Sequence, residues 1–206
     1  MYDGTKSQKL FHACEISGCC ARNCCGNMRP FNMALTLLPS KDPNDAFLTF
    51  RRPFRCTYLC FNRPVLFVKE CAPALEETTP AIGTTVNPWR CCDLAFNIMD
   101  DSENLIYKVV GSCCQPGLYC TCPWEPCNKI EFSIQPPEGE DTLGMIAKEW
   151  SGCGKEAFTD ADNFSIEFPE GATPRHKSIL LATVFLIDFM YFENNSNKNN
   201  RNGLQF

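Results

Sequence analysis

The chain reads as an all-β fold, a sandwich or barrel, that ends in one apolar helix. Short segments alternating apolar and polar residues recur through residues 1 to 175 at spacings of roughly 12 to 25 residues, the period-2 pattern of strands with one face in a core. Between them fall turn-forming clusters, drawn from 15 prolines and 12 glycines. The only long apolar run lies near the C-terminus, and no internal repeat aligns.

Met33 to Leu38 (MALTLL), Ala46 to Phe50 (AFLTF) and Pro64 to Val68 (PVLFV) are the first predicted strands. Leu94 to Met99 (LAFNIM), Leu105 to Val110 (LIYKVV) and Ile130 to Ile134 (IEFSI) follow, then Leu143 to Lys148 (LGMIAK) and Asn163 to Phe168 (NFSIEF). Pro-Asn-Asp, Pro-Gly and Pro-Glu-Gly clusters punctuate them. Ser178 to Phe192 (SILLATVFLIDFMYF) is the predicted helix, along which Ser178, Leu181, Phe185, Asp188 and Phe192 are singled out as membrane-facing or barrel-core positions. The fourteen residues Ile179 to Phe192 would cover roughly 21 Å as a helix. A bilayer core of about 30 Å needs roughly 20 residues. Because the run is apolar on nearly every face, it is read as a helix buried inside a barrel in preference to a membrane span. An isolated carboxylate there would be costly, so Asp188 is expected to be protonated or held by a buried donor. Residues 1–193 are read as one domain including helix 178–192, and residues 194–206 as a disordered polar tail. Within that tail, Asn194 and Ser196 form an N-x-S acceptor that would be glycosylated only outside the cell.

A chain of 206 residues can bury a sizeable core, so its 16 cysteines are not needed as staples. Met1 to Gly18 lacks the apolar run of a signal peptide, which favours a reducing compartment and free thiols. Nineteen basic against 24 acidic residues, a net charge of -5, argue against binding nucleic acid through bulk charge. The cysteines cluster, and adjacent Cys-Cys pairs recur. Cys20 and Cys24 have zinc-knuckle spacing while Cys122 and Cys127 are slightly too far apart, so structural zinc is a minor alternative to buried or unreactive thiols.

No G-x-S-x-G, P-loop or H-E-x-x-H motif is present, and His12 and His176 have no nucleophile beside them in a known pattern. Nothing in the sequence supports an enzyme active site. The strongest local constellation is Glu156 to Phe168 (EAFTDADNFSIEF), where Asp160 and Asp162 flank one residue in a turn-like stretch and offer the hard oxygens that suit Ca²⁺. As an EF-hand loop it is poor, because Ser165 stands where the sharp-turn Gly belongs and Gly171 where a bidentate Glu belongs. Few ligands imply weak affinity, on the order of 10⁻⁴ M or worse. Phe164, Ile166 and Phe168 also alternate as in a half-buried strand, so a turn that opens a strand is the competing reading.

The segments CCARNCCGNMRPF (19 to 31), RRPFRC (51 to 56), EAFTDADNFSIEFP (156 to 169) and FLIDFMYFE (185 to 193), in this order, closely resemble the phospholipid scramblases. The resemblance runs from about residue 8 to residue 193. It implies a tubby-like fold, a barrel of about twelve strands around a central hydrophobic C-terminal helix. It also implies calcium-triggered, ATP-independent, bidirectional movement of membrane phospholipids between leaflets at the cytoplasmic face of the plasma membrane, with signalling proteins as a further class of partner. On the family pattern the calcium segment corresponds to Asp160, Asp162, Phe164, Ile166, Phe168 and Gly171, and Gly171 departs from the family's acidic residue. The family's acylated cysteine run corresponds to Cys56 and Cys60, within CTYLCF, which keeps only two thiols. Family members have a first strand ahead of the position where this chain begins, so the resemblance implies a barrel lacking that strand, whose exposed edge either is closed by another segment or leaves the fold less stable. The nuclear-import stretch of the family corresponds to GMIAKEWSG (144 to 152), which retains only Lys148, so no nucleic-acid partner is expected.

Overall fold

The computed structural model describes residues 10–18, 28–57, 61–70, 79–120, 126–149 and 163–192. Ten strands precede one helix: β1 (Phe11–Ile16), β2 (Phe31–Leu37), β3 (Leu48–Arg52), β4 (Val65–Glu70), β5 (Gly83–Val86), β6 (Asp93–Asp100), β7 (Leu105–Ser112), β8 (Lys129–Gln135), β9 (Gly144–Glu149), β10 (Asn163–Glu167) and α1 (Pro174–Tyr191). Each strand pairs antiparallel with its neighbour in sequence, in the spatial order β1 to β10. Such a meander needs no crossover, because antiparallel neighbours are joined by hairpin connections. Among the described residues no ladder joins β1 to β10, so the sheet curls around the helix without closing.

Every predicted strand coincides with an observed one. Two observed strands escape the sequence reading: β1 (FHACEI) mixes polar and apolar residues without a clean alternation, and β5 (GTTV) is only four residues long. The expectation of about twelve strands becomes ten among the described residues. Where alternation is clean, it reports the core as expected. β8 buries Ile130, Phe132 and Ile134 while Lys129 and Glu131 stay exposed, and β10 half-buries Phe164 and Ile166 between exposed neighbours.

Helix α1 starts at Pro174, four residues before the predicted Ser178, and ends at Tyr191 with Phe192 as its C-cap. The extra turn, Pro-Arg-His-Lys, is polar, so hydrophobicity could not reveal it. Capping does: the Thr173 hydroxyl accepts from the His176 N–H, and Pro174 follows it at the first helical position, where its missing N–H costs nothing. Ile179, Leu180, Ala182, Leu186 and Ile187 are buried against Phe50, Leu66, Val68, Phe96, Ile98 and Phe132 of the sheet. Gly83 allows the close approach on β5, since a Cβ there would lie 2.7 Å from the Met99 carbonyl oxygen and collide with the Ile179 side chain. Two residues along, the Thr85 and Thr183 hydroxyls meet at 2.9 Å inside the core.

The helix has one less buried side. Positions 178, 181, 185, 188 and 192 lie on the stripe opposite Thr183 at 3.6 residues per turn, and Ser178, Leu181, Phe185 and Asp188 on it are only half-buried. That stripe faces away from β5, and its Phe185 ring lies 5.5 Å from that of Phe50 on β3. Phe192, at its end, is buried against Phe164 of β10, with ring centroids 5.9 Å apart. The core reading of the helix therefore holds for most of its surface, and the residues singled out in the sequence mark the side left partly open. No helix among the described residues is long and apolar enough to cross a membrane.

Candidate functional site

The meander gives the molecule two unlike ends. Ladder termini Ile16↔Asn32, Phe31↔Arg52, Val65↔Val86, Asp93↔Ser112 and Asn163↔Glu149 all fall at one end. Helix α1 enters at the opposite end, where Arg175 lies 4.0 Å from Glu70 and 3.9 Å from Asp101, and it exits among those termini. The exit end thus collects the connections that follow β1, β3, β5, β7 and β9.

Beneath the exit end, cations and rings form a layer around the last turn of α1. The Arg29 guanidinium sits 4.7 Å from the centroid of Phe189 and pairs with Glu15 at 2.9 Å. Phe189 stacks on Phe31 at 4.1 Å, and Arg52 lies 5.9 Å from the Phe31 ring. Lys148, fully buried, places its ammonium 3.9 Å from Phe192 and 5.3 Å from Phe164. Ring faces offset part of the hydration these cations lose on burial, and the negative end of the helix dipole favours positive charge here. Arg63 donates to the Asn87 carbonyl at 3.2 Å and to its side-chain oxygen, while the Asn87 amide donates to the Ala95 carbonyl at 2.8 Å. Burial pushes the Tyr191 hydroxyl above its ordinary range, against the lowering influence of Arg63 and of the hydrogen bond with Asn87.

The rim of this end is exposed and aromatic. Phe54 (54% exposed), Phe61 (69%), Trp89 (55%) and Tyr119 (79%) all stand on it, along with Met28. The large hydrophobics exposed at the opposite end, among the described residues, are the aliphatic Leu10, Leu37 and Leu143. Among the described residues, the exposed thiols Cys56, Cys91, Cys92, Cys114 and Cys120 are also all at the exit end. The β6–β7 ladder ends at Asp93↔Ser112, which sets Cys91–Cys92 beside Cys113–Cys114. The Cys113 and Cys114 sulfurs are 3.8 Å apart, and hydrogen bonding between neighbouring thiols pushes both Cys92 and Cys113 above the usual thiol range. Charge divides only in part. Arg52, Arg55, Arg63 and Arg90 surround the exit end beside Asp93 and Glu149, whereas Asp42, Asp45, Asp100, Asp101, Glu103 and Glu138 mark the opposite one together with Lys41, Arg175 and Lys177.

A shallow cleft of about 450 Å³ lies on the outer face of β6 to β8, lined by Arg90, Asp93, Lys108, Val110, Gln135, Gly139 and Glu140. It holds no nucleophile paired with a base. Among the described residues no group of three His, Cys, Asp or Glu side chains could hold a metal ion.

Asp160, Asp162 and Cys60 lie outside the described residues, as do Cys20, Cys24, Cys122, Asn194 and Ser196. Phe164 and Ile166 turn toward the core on β10, Phe168 follows that strand with Lys177 5.6 Å from its ring, and Gly171 occupies a turn at φ 75° before α1. These four are not brought together: Phe164 pairs with Lys148 near the exit end, while Gly171 lies past the far end of β10. Their side chains carry no oxygen ligand, so the described part of the segment does not by itself fit a Ca²⁺ cage. Cys56 is an exposed thiol at the exit end, two residues from Phe54. The exposed rim and the buried cations went unnoticed in the sequence, although RRPFR, FNRP and NPWR repeat one signal, an aromatic or Asn beside Pro and Arg at a strand end.

A family model described as Scramblase matches residues 3–194, nearly the whole chain. The chain belongs to the phospholipid scramblase family. It is 35% identical over 200 residues to phospholipid scramblase 1 of Rattus norvegicus, a match covering 96% of this chain and 54% of the relative. It is 34% identical over 189 residues to phospholipid scramblase 2 of Bos taurus, covering 90% and 58%, and 29% identical over 190 residues to phospholipid scramblase 4 of Mus musculus, covering 90% and 52%. The chain thus spans little more than half the length of the scramblases it matches. No solved structure matches it. In this scramblase-family chain the exit end carries the exposed Cys56 and the C-terminus of α1.

Proposed function

We propose that this protein moves phospholipids between the two leaflets of a membrane in both directions, without ATP and in response to calcium, acting as a lipid transporter and not as a chemical catalyst. Membership of the scramblase family over residues 3–194 carries this reading. Asp160 and Asp162 are the proposed calcium-binding carboxylates, with weak affinity, since Gly171 replaces the family's acidic residue. The proposed location is the cytoplasmic face of the plasma membrane, with acyl groups on Cys56 and Cys60; the exposed Cys56 thiol supports the first of these. The test is reconstitution of the purified chain into vesicles with labelled lipid in one leaflet. Calcium should accelerate loss of asymmetry over empty vesicles, and chelation should reverse that acceleration. Equal rates with and without protein would reject transport.

A second reading, a membrane-associated lipid-binding or adaptor protein without transport, is favoured by the position of α1. A charged headgroup needs a polar path through hydrocarbon, and most of α1 is committed to the barrel core. On that reading vesicles bind the protein yet keep their asymmetry, and hydroxylamine, which cleaves thioesters, releases the protein from cell membranes.

A further inference from the structure

We propose that the exit end of the barrel is a docking face for an anionic phospholipid leaflet, contacted by the rings of Phe54, Phe61, Trp89 and Tyr119 together with the exposed Arg90. The ligand class rests on the scramblase reading; the choice of face rests on the structure alone. Phe54 and Phe61 stand on the β3–β4 connection, Trp89 on β5–β6 and Tyr119 on β7–β8, so three separate loops present aromatic groups at the same end. Among the described residues, no aromatic appears in the exposed large hydrophobics of the opposite end. Tyr and Trp favour the headgroup region, where the ring is apolar and its N–H or O–H stays wet.

Arginines beside the rings suit an anionic leaflet, while the rings themselves set the orientation. The molecule carries a net charge of -5, so an anionic surface would repel it without an oriented basic face. Arg90 is exposed beside Trp89, 3.8 Å from the exposed Asp93 carboxylate, and Arg55 stands partly exposed beside Phe54. The opposite end presents Asp100, Asp101 and Glu103 at the β6–β7 turn, which repulsion turns outward. Exposed Cys56 and Cys91 each lie two residues from one of these rings, so acyl chains carried on either would enter the leaflet that the rings already touch.

The experiment uses the full chain produced without acylation, and co-sedimentation with vesicles of phosphatidylcholine alone or mixed with phosphatidylserine. Binding should require phosphatidylserine and weaken as salt is raised. A variant combining Phe54→Ser, Phe61→Ser and Trp89→Ser should bind at least about tenfold more weakly. The control Leu37→Ser with Leu143→Ser, exposed at the opposite end, should bind as the parent does. Failure of the parent chain to bind phosphatidylserine vesicles, undiminished binding by the triple variant, or an equal loss in the control would overturn the proposal. If the triple variant loses its folded thermal transition, Arg90→Glu replaces it, with the same expected loss and the same overturning result. Lipid movement is read separately in the same vesicles: binding without movement rejects transport and leaves docking standing, whereas movement with undiminished binding by the exit-end variant rejects docking and leaves transport standing.

Discussion

Thr183 shows how one polar residue is accommodated in an apolar helix. Its hydroxyl donates to the Ile179 carbonyl at 2.9 Å, which leaves its oxygen to accept from Thr85. The two threonines should therefore not be equivalent. Thr183→Val strands the buried Thr85 hydroxyl and should cost about 1–3 kcal/mol, while Thr85→Val leaves Thr183 bonded to the helix and should cost less. Urea denaturation of the two variants makes the comparison, and an equal loss would contradict the assigned donor order. Tyr191 gives a pH test. Its folded pKa is raised chiefly by burial, so its contribution to stability is fully present below the unfolded value of about 10 and is lost as pH rises through the folded value. Tyr191→Phe should flatten the alkaline fall in melting temperature above about pH 10, and an unchanged alkaline limb would refute this. Neither site was legible beforehand. A Thr within LLATVF and a Tyr beside Phe192 look like ordinary members of an apolar run, and only packing reveals which hydroxyl faces which partner.

At the scale of elements, α1 is where the sequence was most informative and also incomplete. Its apolar run marked it as a core element, and the stripe Ser178, Leu181, Phe185, Asp188 was recognisable by its 3.6-residue spacing. Leu180→Ala should cost about 2–5 kcal/mol, since Leu180 is fully buried. Leu181→Ser, on the half-buried stripe, should cost clearly less in the same denaturation experiment. The reverse order would place the core on the wrong side of the helix. The β6–β7 turn offers a second element-scale test. Hydrogen bonds from the Asn104 side chain, first, and from the Asn104 and Ser102 backbone amides hold the Asp100 carboxyl below its usual range. A lowered pKa contributes stability above the unfolded value, about 3.9, that is lost as pH falls through the folded one. Asp100→Ala should lower the melting temperature at neutral pH and reduce the difference between the variants in strong acid. A difference that persists undiminished would show that the carboxylate is not the source. Strands with regular alternation, such as β8 and β10, were readable in sequence, whereas β5 was not, because four residues of Gly, Thr and Val give no period to detect.

For the whole molecule, the meander sends every second connection to the same end, and that rule turns scattered motifs into one surface. RRPFRC and FNRP, at the two ends of the β3–β4 connection, and NPWR, after β5, share the exit end because each borders the same side of the sheet. The proposed calcium dependence of lipid movement belongs to this scale. Asp160→Ala combined with Asp162→Ala should abolish calcium-stimulated loss of asymmetry in vesicles and leave the thermal unfolding of the barrel near that of the parent. Undiminished calcium stimulation would place the ion elsewhere. The residues flanking that segment, Glu149 and Asn163, pair at the exit end.

The sequence by itself determined the family, the all-β class, most strands and the apolar helix, because each is written in local periodicity or in contiguous motifs. Helical spacing put Ser178, Leu181, Phe185, Asp188 and Phe192 on one stripe as membrane-facing or barrel-core positions, but that the first four are half-buried and Phe192 is buried came from the structure. Only the tertiary structure decided that the helix lies within the sheet, that Lys148 is buried among Phe164 and Phe192, and that, among the described residues, the exposed rings and exposed thiols share one end. Those facts depend on which residues become neighbours across the ladders, and strand pairing is not contained in any one stretch of chain.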